Sequence, residues 1–437
     1  VWENMSLREI QVHERPELAQ AIPLSLQHLF AMFGASVLVP MLVGVDPSLQ
    51  LLFNGIGTLL YIAITRGNIP AFLGPSAAFV AGIGAVVAGE GHAAALSGCI
   101  AVGILFVIAG FVVKTVGLGW LDIVLPPPAM GAVVATIGFG LAEYSAGLAG
   151  LIPGSVAPEI AGKTIAVSLF TLAVAILVST LCRGFLQAVP ILIAVIAGYA
   201  FSFTQGLVDT SIIHEASWFA LPQFVTPEFS WKAIAIILPA GVVVLAEHVG
   251  DLTVTERIVG HPLIRKENGL SRSYMGNGVG TIISSFFGGM PVTTYGENVG
   301  VMALTRVYSV WVIGGAAVFS ICLAFIGKVS AVIRAMPAPV MGGVSILLFG
   351  MISASGLRML VESRVDYGDN KNLITSAVIL ILAIGKARLT IGPMEVEGMA
   401  LGAVVGVILS LFFYIIDKLG FGSKKEEEAE VEEAKAV

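Results

Sequence analysis

Three carboxylates and one histidine stand where an apolar sequence has no packing use for them. The stretch Leu245-Ala-Glu-His-Val-Gly-Asp-Leu-Thr253 continues a long apolar segment yet carries Glu247, His248 and Asp251. A charged side chain at the centre of a membrane helix costs about 2.5 to 3.5 kcal/mol even on insertion scales, so such groups rarely persist without a role. Residues four apart share a helix face, so Glu247 and Asp251 point the same way, while His248 is turned from Glu247 by about 100°. A third carboxylate, Glu297, lies in the polar, glycine-punctuated run Pro291-Val-Thr-Thr-Tyr-Gly-Glu-Asn-Val-Gly-Val-Met-Ala-Leu-Thr-Arg306. Carboxylates gathered in an apolar setting can accept from a ligand's N–H groups and hold a proton, the chemistry of a proton-coupled carrier. The alternative for Asp251 is a solvated place near the end of its segment.

Other chemistries find little support. His28, in Leu26-Gln27-His28-Leu29, reads as a buried neutral histidine holding a neighbouring helix by hydrogen bonds, or else as a proton relay. His248 and Asp251 have metal-like spacing, but no further histidine or cysteine is near in sequence, and Cys99, Cys182 and Cys322 are scattered through apolar stretches. Neither a metal site nor a disulfide framework is expected. A Gly-x-Ser-x-Gly elbow and a phosphate-binding loop are both missing, so no enzyme activity, cofactor or nucleic-acid partner is expected.

The run around Glu297 must be positioned by broken backbone. Gly288 and Gly289 end an apolar helix, Pro291 and the β-branched Val292, Thr293 and Thr294 favour extended chain, and a helix can restart near Asn298. Non-helical backbone at membrane depth is tolerated where it is buried in protein or lines a cavity, and transporters use it to hold their ligand. Glu297 is therefore expected to face a substrate from beside a helix N-terminus.

Of the 437 residues, 57% are hydrophobic and 12% charged, with a mean hydropathy of +0.94. That composition excludes a soluble globular chain and implies a polytopic membrane protein. The net charge of -6 says little about partners, because the tail after Ser423 carries Glu426, Glu427, Glu428, Glu430, Glu432 and Glu433 and reads as a disordered acidic end over 420–437. Residues 1–19 are charged and lack an apolar run, so no cleavable signal peptide is expected.

Apolar segments fall at about 20–44, 48–65, 93–114, 128–149, 164–182, 185–208, 232–255, 309–333, 338–358, 371–391 and 396–417, with shorter or broken ones at about 70–89, 272–288 and 291–305. The expectation is an all-α protein with fourteen transmembrane segments and both termini on one side. Lys and Arg concentrate on that side, at Arg66, Lys114, Arg183, Arg257, Arg306 and Arg364 among others. Lys163, Lys232, Lys328, Arg334, Lys386 and Arg388 lie opposite. The imbalance puts the termini in the cytoplasm.

Pro128-Ala-Met-Gly131-Ala-Val133 opens the fifth segment and Pro339-Val-Met-Gly342-Gly-Val344 the twelfth, a constant offset of 211 positions. Seven spans separate them, and an odd number makes the second half inverted relative to the first. The plainer alternative is two proline-initiated helices with small-residue packing faces. The repeat predicts a partner for the Glu297 run, found at Ile69-Pro-Ala-Phe-Leu-Gly-Pro-Ser-Ala-Ala-Phe79, where a helix resumes near Ser76. Broken third and tenth segments would aim two helix N-termini, near Ser76 and Asn298, into one cavity, where unpaired N–H groups can meet a ligand's carbonyl oxygens.

Asn298-x-Gly300-x-x-x-x-Thr305-Arg306, Gln27-His28 and the Ala246-Glu-His-Val-Gly250 block resemble the nucleobase/ascorbate transporter family, and the full run from Pro291 resembles its bacterial uracil permease branch. The resemblance covers about Arg15 to Leu419. It implies a proton- or sodium-coupled symporter of nucleobases, usually a homodimer, embedded in the lipid bilayer of the cell membrane. It further implies a cytoplasmic segment 1–19, a core domain from 20–114 and 231–333, a gate domain from 115–208 and 334–419, and an extracellular loop 209–230. Substrate binding falls by resemblance on Glu247 and Glu297, with backbone contacts at Ala77 and Gly296 beside Ser76 and Asn298; proton coupling falls on Asp251, Glu247, Glu297 and His28. Uracil permeases of the family carry histidine at the position of Asp251, and purine-transporting relatives often an acid. Purine carriers usually have Gln before Asn298, where this chain has Glu297, which favours uracil with protons as the coupling ion. An anion exchanger on such a repeat would have a neutral or basic cavity, against which Glu247 and Glu297 speak.

Overall fold

A computed structural model of the chain describes residues 9–391 and 394–420. The expected acidic tail lies outside the described residues apart from Gly420. In chain order the first half comprises α1 (Leu18–Met41), α2 (Pro47–Ile64), β1 (Leu73–Pro75), a 3-10 turn (Ala77–Phe79), α3 (Val80–Glu90), α4 (His92–Val116), α5 (Gly119–Val124), α6 (Pro127–Gly140), α7 (Ala142–Leu148), α8 (Pro158–Leu181), α9 (Phe185–Ala188) and α10 (Pro190–Thr204). The short α11 (Ser211–Glu215) connects it to the second half, which runs α12 (Trp231–Val259), α13 (Gly269–Phe286), β2 (Val292–Thr294), α14 (Gly296–Thr305), α15 (Val310–Ala324), α16 (Gly327–Arg334), α17 (Ala338–Glu362), α18 (Asn370–Ile384), β3 (Arg388–Ile391), β4 (Met394–Glu397) and α19 (Gly398–Leu419).

Local chemistry sets these ends. Proline opens α2, α6, α8 and α10, where its missing N–H costs nothing. Asp46, Ser230, Ser309 and Asp369 accept from first-turn amides, and Gly260 and Gly420 close α12 and α19 in the left-handed conformation. Among the described residues, eight helical stretches are long and apolar enough to cross a membrane, and four shorter apolar ones accompany them. Large apolar side chains such as Ile108, Phe111, Leu177, Ile381 and Phe412 face outward, as a lipid-facing surface requires. The chain is a predominantly helical, multi-pass membrane protein.

Several apolar runs are interrupted where the sequence predicts continuity. The run 185–208 divides at Val189, because Pro190 cannot continue a helix already begun. The run 128–149 is broken at Leu141, whose amide donates back to Gly138 rather than four residues back. The run 309–333 divides at Phe325 and Ile326. The run 371–391 ends as helix at Ile384; Lys386 takes a positive φ of 48°, and the chain turns into a β3–β4 hairpin in which Arg388 faces Glu397.

The two halves pack in matched ways. α4 lies against α13 as α2 lies against α15; α12 against α4 as α1 against α15; α8 against α17 as α18 against α6; α8 against α10 as α18 against α19. Single contacts recur at or near the offset of 211. The Pro128 carbonyl accepts from Ser376 of α18 at 2.9 Å, and the Pro339 carbonyl from Ser168 of α8 at 2.9 Å. A Cβ on Gly131 would meet Leu360, and one on Gly342 would meet Ala149; 149 and 360 also differ by 211. Gly138 and Phe349, a further pair at that offset, touch each other: a Cβ on Gly138 would lie 1.9 Å from the Phe349 carbonyl.

Charged side chains also pair between elements. Lys232 meets Glu90, Lys386 meets Glu143, and Lys328 donates to the Ile213 carbonyl. Arg257 meets Glu362 and Lys371 meets Asp417. Each contact joins residues that the span order assigns to the same side.

Candidate substrate site

The site is built where two buried extended tripeptides meet. β1 pairs antiparallel with β2, with Leu73 opposite Thr294, Gly74 opposite Thr293 and Pro75 opposite Val292. The ladder continues as Ser76 N–H donates to the Pro291 carbonyl at 3.0 Å. Proline and β-branched residues form these strands because neither stretch can hold a helix. Their polar backbone is satisfied internally: Leu73 N–H donates to Thr58 Oγ1 at 2.9 Å, Val292 N–H to Thr281 Oγ1 at 3.2 Å and Met290 N–H to Gln50 Oε1 at 2.7 Å.

Each strand leads directly into a helical start. The 3-10 turn from Ala77 runs into α3, and α14 begins at Gly296, two residues before the expected Asn298. Neither N-cap residue, Ser76 or Tyr295, makes a side-chain capping bond, so first-turn amides stay available to a ligand. Gly296 is exposed and Glu297 half-buried at the start of α14.

The expected residues fall into three groups. Asp251 accepts from the Thr294 hydroxyl at 2.9 Å, and its Oδ1 lies 3.9 Å from where a Cβ on Gly296 would be. Glu247 has one buried carboxylate oxygen without a protein partner and lies close enough to Asp251 and Glu297 for the three to act on one another electrostatically. These acids and Gly296 thus form one cluster between α12 and the start of α14. His28 of α1 lies beside Asn298. Neither His28 ring nitrogen makes a hydrogen bond of normal geometry among the described residues. Asn298 donates to Met32 Sδ at 3.1 Å. Ser76 and Ala77 form the third group. Ala77 lines a cavity of about 480 Å³ that extends past Ile236 and Ala240 to Tyr144, Lys386 and Arg388, and the three acids do not line it.

Residues 19–392 match the family model described as the Permease family. The chain belongs to the nucleobase/ascorbate transporter family. As a family member it is a membrane permease and not an enzyme. It is 54% identical to a uracil permease of Paenibacillus larvae over 96% of this chain and 100% of that one, and 56% identical to a uracil permease of Escherichia coli K12 over 95% and 96%. Among solved structures, the transmembrane domain of the cyanobacterial bicarbonate transporter BicA superposes with a TM-score of 0.61 at 15% identity, covering 92% of this chain and 99% of that one. SLC26A9 gives 0.68 at 13% identity over 92% and 66%. These likenesses establish a shared fold for the family member and nothing about its ligand.

Three residues of the site escaped sequence reasoning. Thr294 was legible only as a β-branched residue of an extended run, yet it bonds Asp251. Ser273 reaches His248 from a distant helix, its Oγ 2.7 Å from His248 Nε2, and Tyr61 reaches Ser273 in turn. A tyrosine in an apolar stretch of α2 and one serine among several in α13 carry no local signal of such a role.

Proposed function

We propose that this permease imports uracil across the cell membrane by proton symport. The observation that carries the reading is the identity of 54% and 56%, over nearly the whole chain, to proteins named uracil permeases. The acidic cluster agrees with it. Uracil presents N–H donors flanked by carbonyl oxygens, so Glu247 and Glu297 accept from the N–H groups while the amides of Ala77 and Gly296 donate to the oxygens. Anion carriers share the fold, but Glu247 and Glu297 would repel an anion.

The proposed architecture is fourteen spans in two inverted repeats, the third and tenth broken at the paired strands. In its favour, the long apolar helices, the shorter ones, and α13 with α14 together supply that number, and contacts recur at the offset of 211. α1 to α4 and α12 to α15 form the core; α6 to α10 and α17 to α19 form the gate. Both termini lie in the cytoplasm and the transporter is a homodimer. A proton loads from outside on Glu247, Asp251 and Glu297, uracil binds at the two helix starts, and the core moves against the gate to release both inside. Glu297→Ala removes one acceptor for the base, so uracil binding measured by calorimetry should be abolished. Unchanged affinity would refute the assignment.

A further inference from the structure

The Asp251 carboxylate ends a chain of hydrogen bonds that begins on α2. Thr294 spends its one hydroxyl proton on Asp251 Oδ2 at 2.9 Å. Its oxygen can then only accept from His248, whose Nδ1 lies 3.3 Å away. A neutral imidazole protonated at Nδ1 has a bare Nε2, which accepts from Ser273 at 2.7 Å. Ser273 in turn accepts from the Tyr61 hydroxyl at 2.5 Å. The direction of each bond follows from the one before, and all donate toward Asp251.

The imidazole is packed against two aromatic rings that also touch each other. It stacks on Tyr274 at 5.2 Å and 26° and meets the edge of Phe106 at 6.2 Å and 81°, while Tyr274 is itself anchored by donating to the Leu245 carbonyl at 2.9 Å. His248, Ser273, Tyr61 and Tyr274 are all 0% exposed, so no water competes for these bonds. The ionisable groups around the chain are Glu247 and Glu297 near Asp251, and Tyr61 and Tyr274 on the buried side.

We propose that His248 is a positioning residue for transport: by donating to Thr294 it commits that hydroxyl to Asp251 Oδ2 and leaves Oδ1 turned toward Gly296. It contacts no substrate and acts through Thr294 alone. Tyr61 and Ser273 fix which nitrogen carries the proton. This rests on reading Asp251 as a coupling carboxylate.

The first test needs no substrate. With only six histidines in the chain, nitrogen-15 spectra of histidine-labelled protein in nanodiscs resolve His248, assigned by the signal lost in His248→Asn. A neutral ring protonated at Nδ1 is expected; a proton on Nε2 overturns the proposal. The second test separates positioning from packing. Asn places its amide nitrogen near the position of Nδ1 and can still donate to Thr294, whereas the longer Gln reaches toward Ser273 and cannot. His248→Gln and Thr294→Val should each lose about tenfold in uracil uptake, the scale of one buried hydrogen bond left unmade. His248→Asn and Thr294→Ser should stay within about threefold of wild type by the same reasoning. If Gln, which fills more of the site, outperforms Asn, His248 serves only as filler and the proposal falls. A wild type that takes up no uracil would refute the transport reading, while the ring's tautomer still decides the positioning role.

Discussion

Tyr295 donates its hydroxyl to the carbonyl of Pro75 at 2.9 Å, tying the residue before α14 to the last residue of β1, 220 positions earlier in the chain. Together with the strand ladder, this bond makes the two helix starts one rigid unit. The space beneath the ring belongs to Gly74, whose Cβ, if present, would lie 2.4 Å from Tyr295 Cζ. Tyr295 is buried and its hydroxyl is engaged, so the ring has nowhere to go.

Gly74→Ala should therefore destabilise the protein by about 1–3 kcal/mol, the usual cost of overpacking, and displace both helix starts. Thermal unfolding in detergent and uracil binding measured together would show a lowered Tm with weakened binding. Unchanged values in both would mean that the ring is free to move.

Thr58 offers a cleaner test of the same unit. Its hydroxyl oxygen accepts from the amide of Leu73 in a fully buried place, and valine has nearly the same shape. Thr58→Val should cost about 1–3 kcal/mol through the amide left without that partner. A loss well below this would show that the Leu73 amide finds another acceptor.

Much of this arrangement was written locally. Pro291 and the β-branched residues after it announce an extended run, and the matched Pro128 and Pro339 motifs announce the repeat. Their offset reappears in the Gly131–Leu360 and Gly342–Ala149 contacts. The strand pairing and the contacts of His248 could not be read this way, because Leu73 and Thr294, or Tyr61, Ser273 and His248, meet only after the helices have packed. The hairpin from Arg388 was missed for a different reason: an apolar run followed by Leu389 and Ile391 has the hydropathy of a helix, and only Gly385 and the left-handed turn at Lys386 mark its end.

Gly138 lies at the point where α6 crosses α17, against the backbone of Phe349. A backbone carbonyl cannot rotate aside as a side chain can, so Gly138→Leu should force these helices apart and destabilise the fold by more than about 3 kcal/mol, beyond ordinary overpacking. Loss of folded yield, or a steep fall in Tm with recovery in Gly138→Ala smaller than complete, is the expected outcome. Normal Tm in the leucine variant would contradict the tight crossing.

Arg257 on α12 meets Glu362 on α17 at 2.9 Å, joining the proposed core to the proposed gate. Arg257 is 55% exposed, so the pair contributes at most about 1 kcal/mol to stability. Glu362→Ala should leave Tm nearly unchanged yet alter the rate of uracil uptake, because the contact must break when the two parts move. A changed Tm with an unchanged rate would make it a structural pair only.

The most direct measurement is uptake of radiolabelled uracil into proteoliposomes under an inward proton gradient, without sodium, with excess unlabelled xanthine in a parallel sample. The account predicts uptake that requires the gradient and ignores xanthine. Uptake abolished by xanthine, driven only by sodium, or absent for uracil would contradict it.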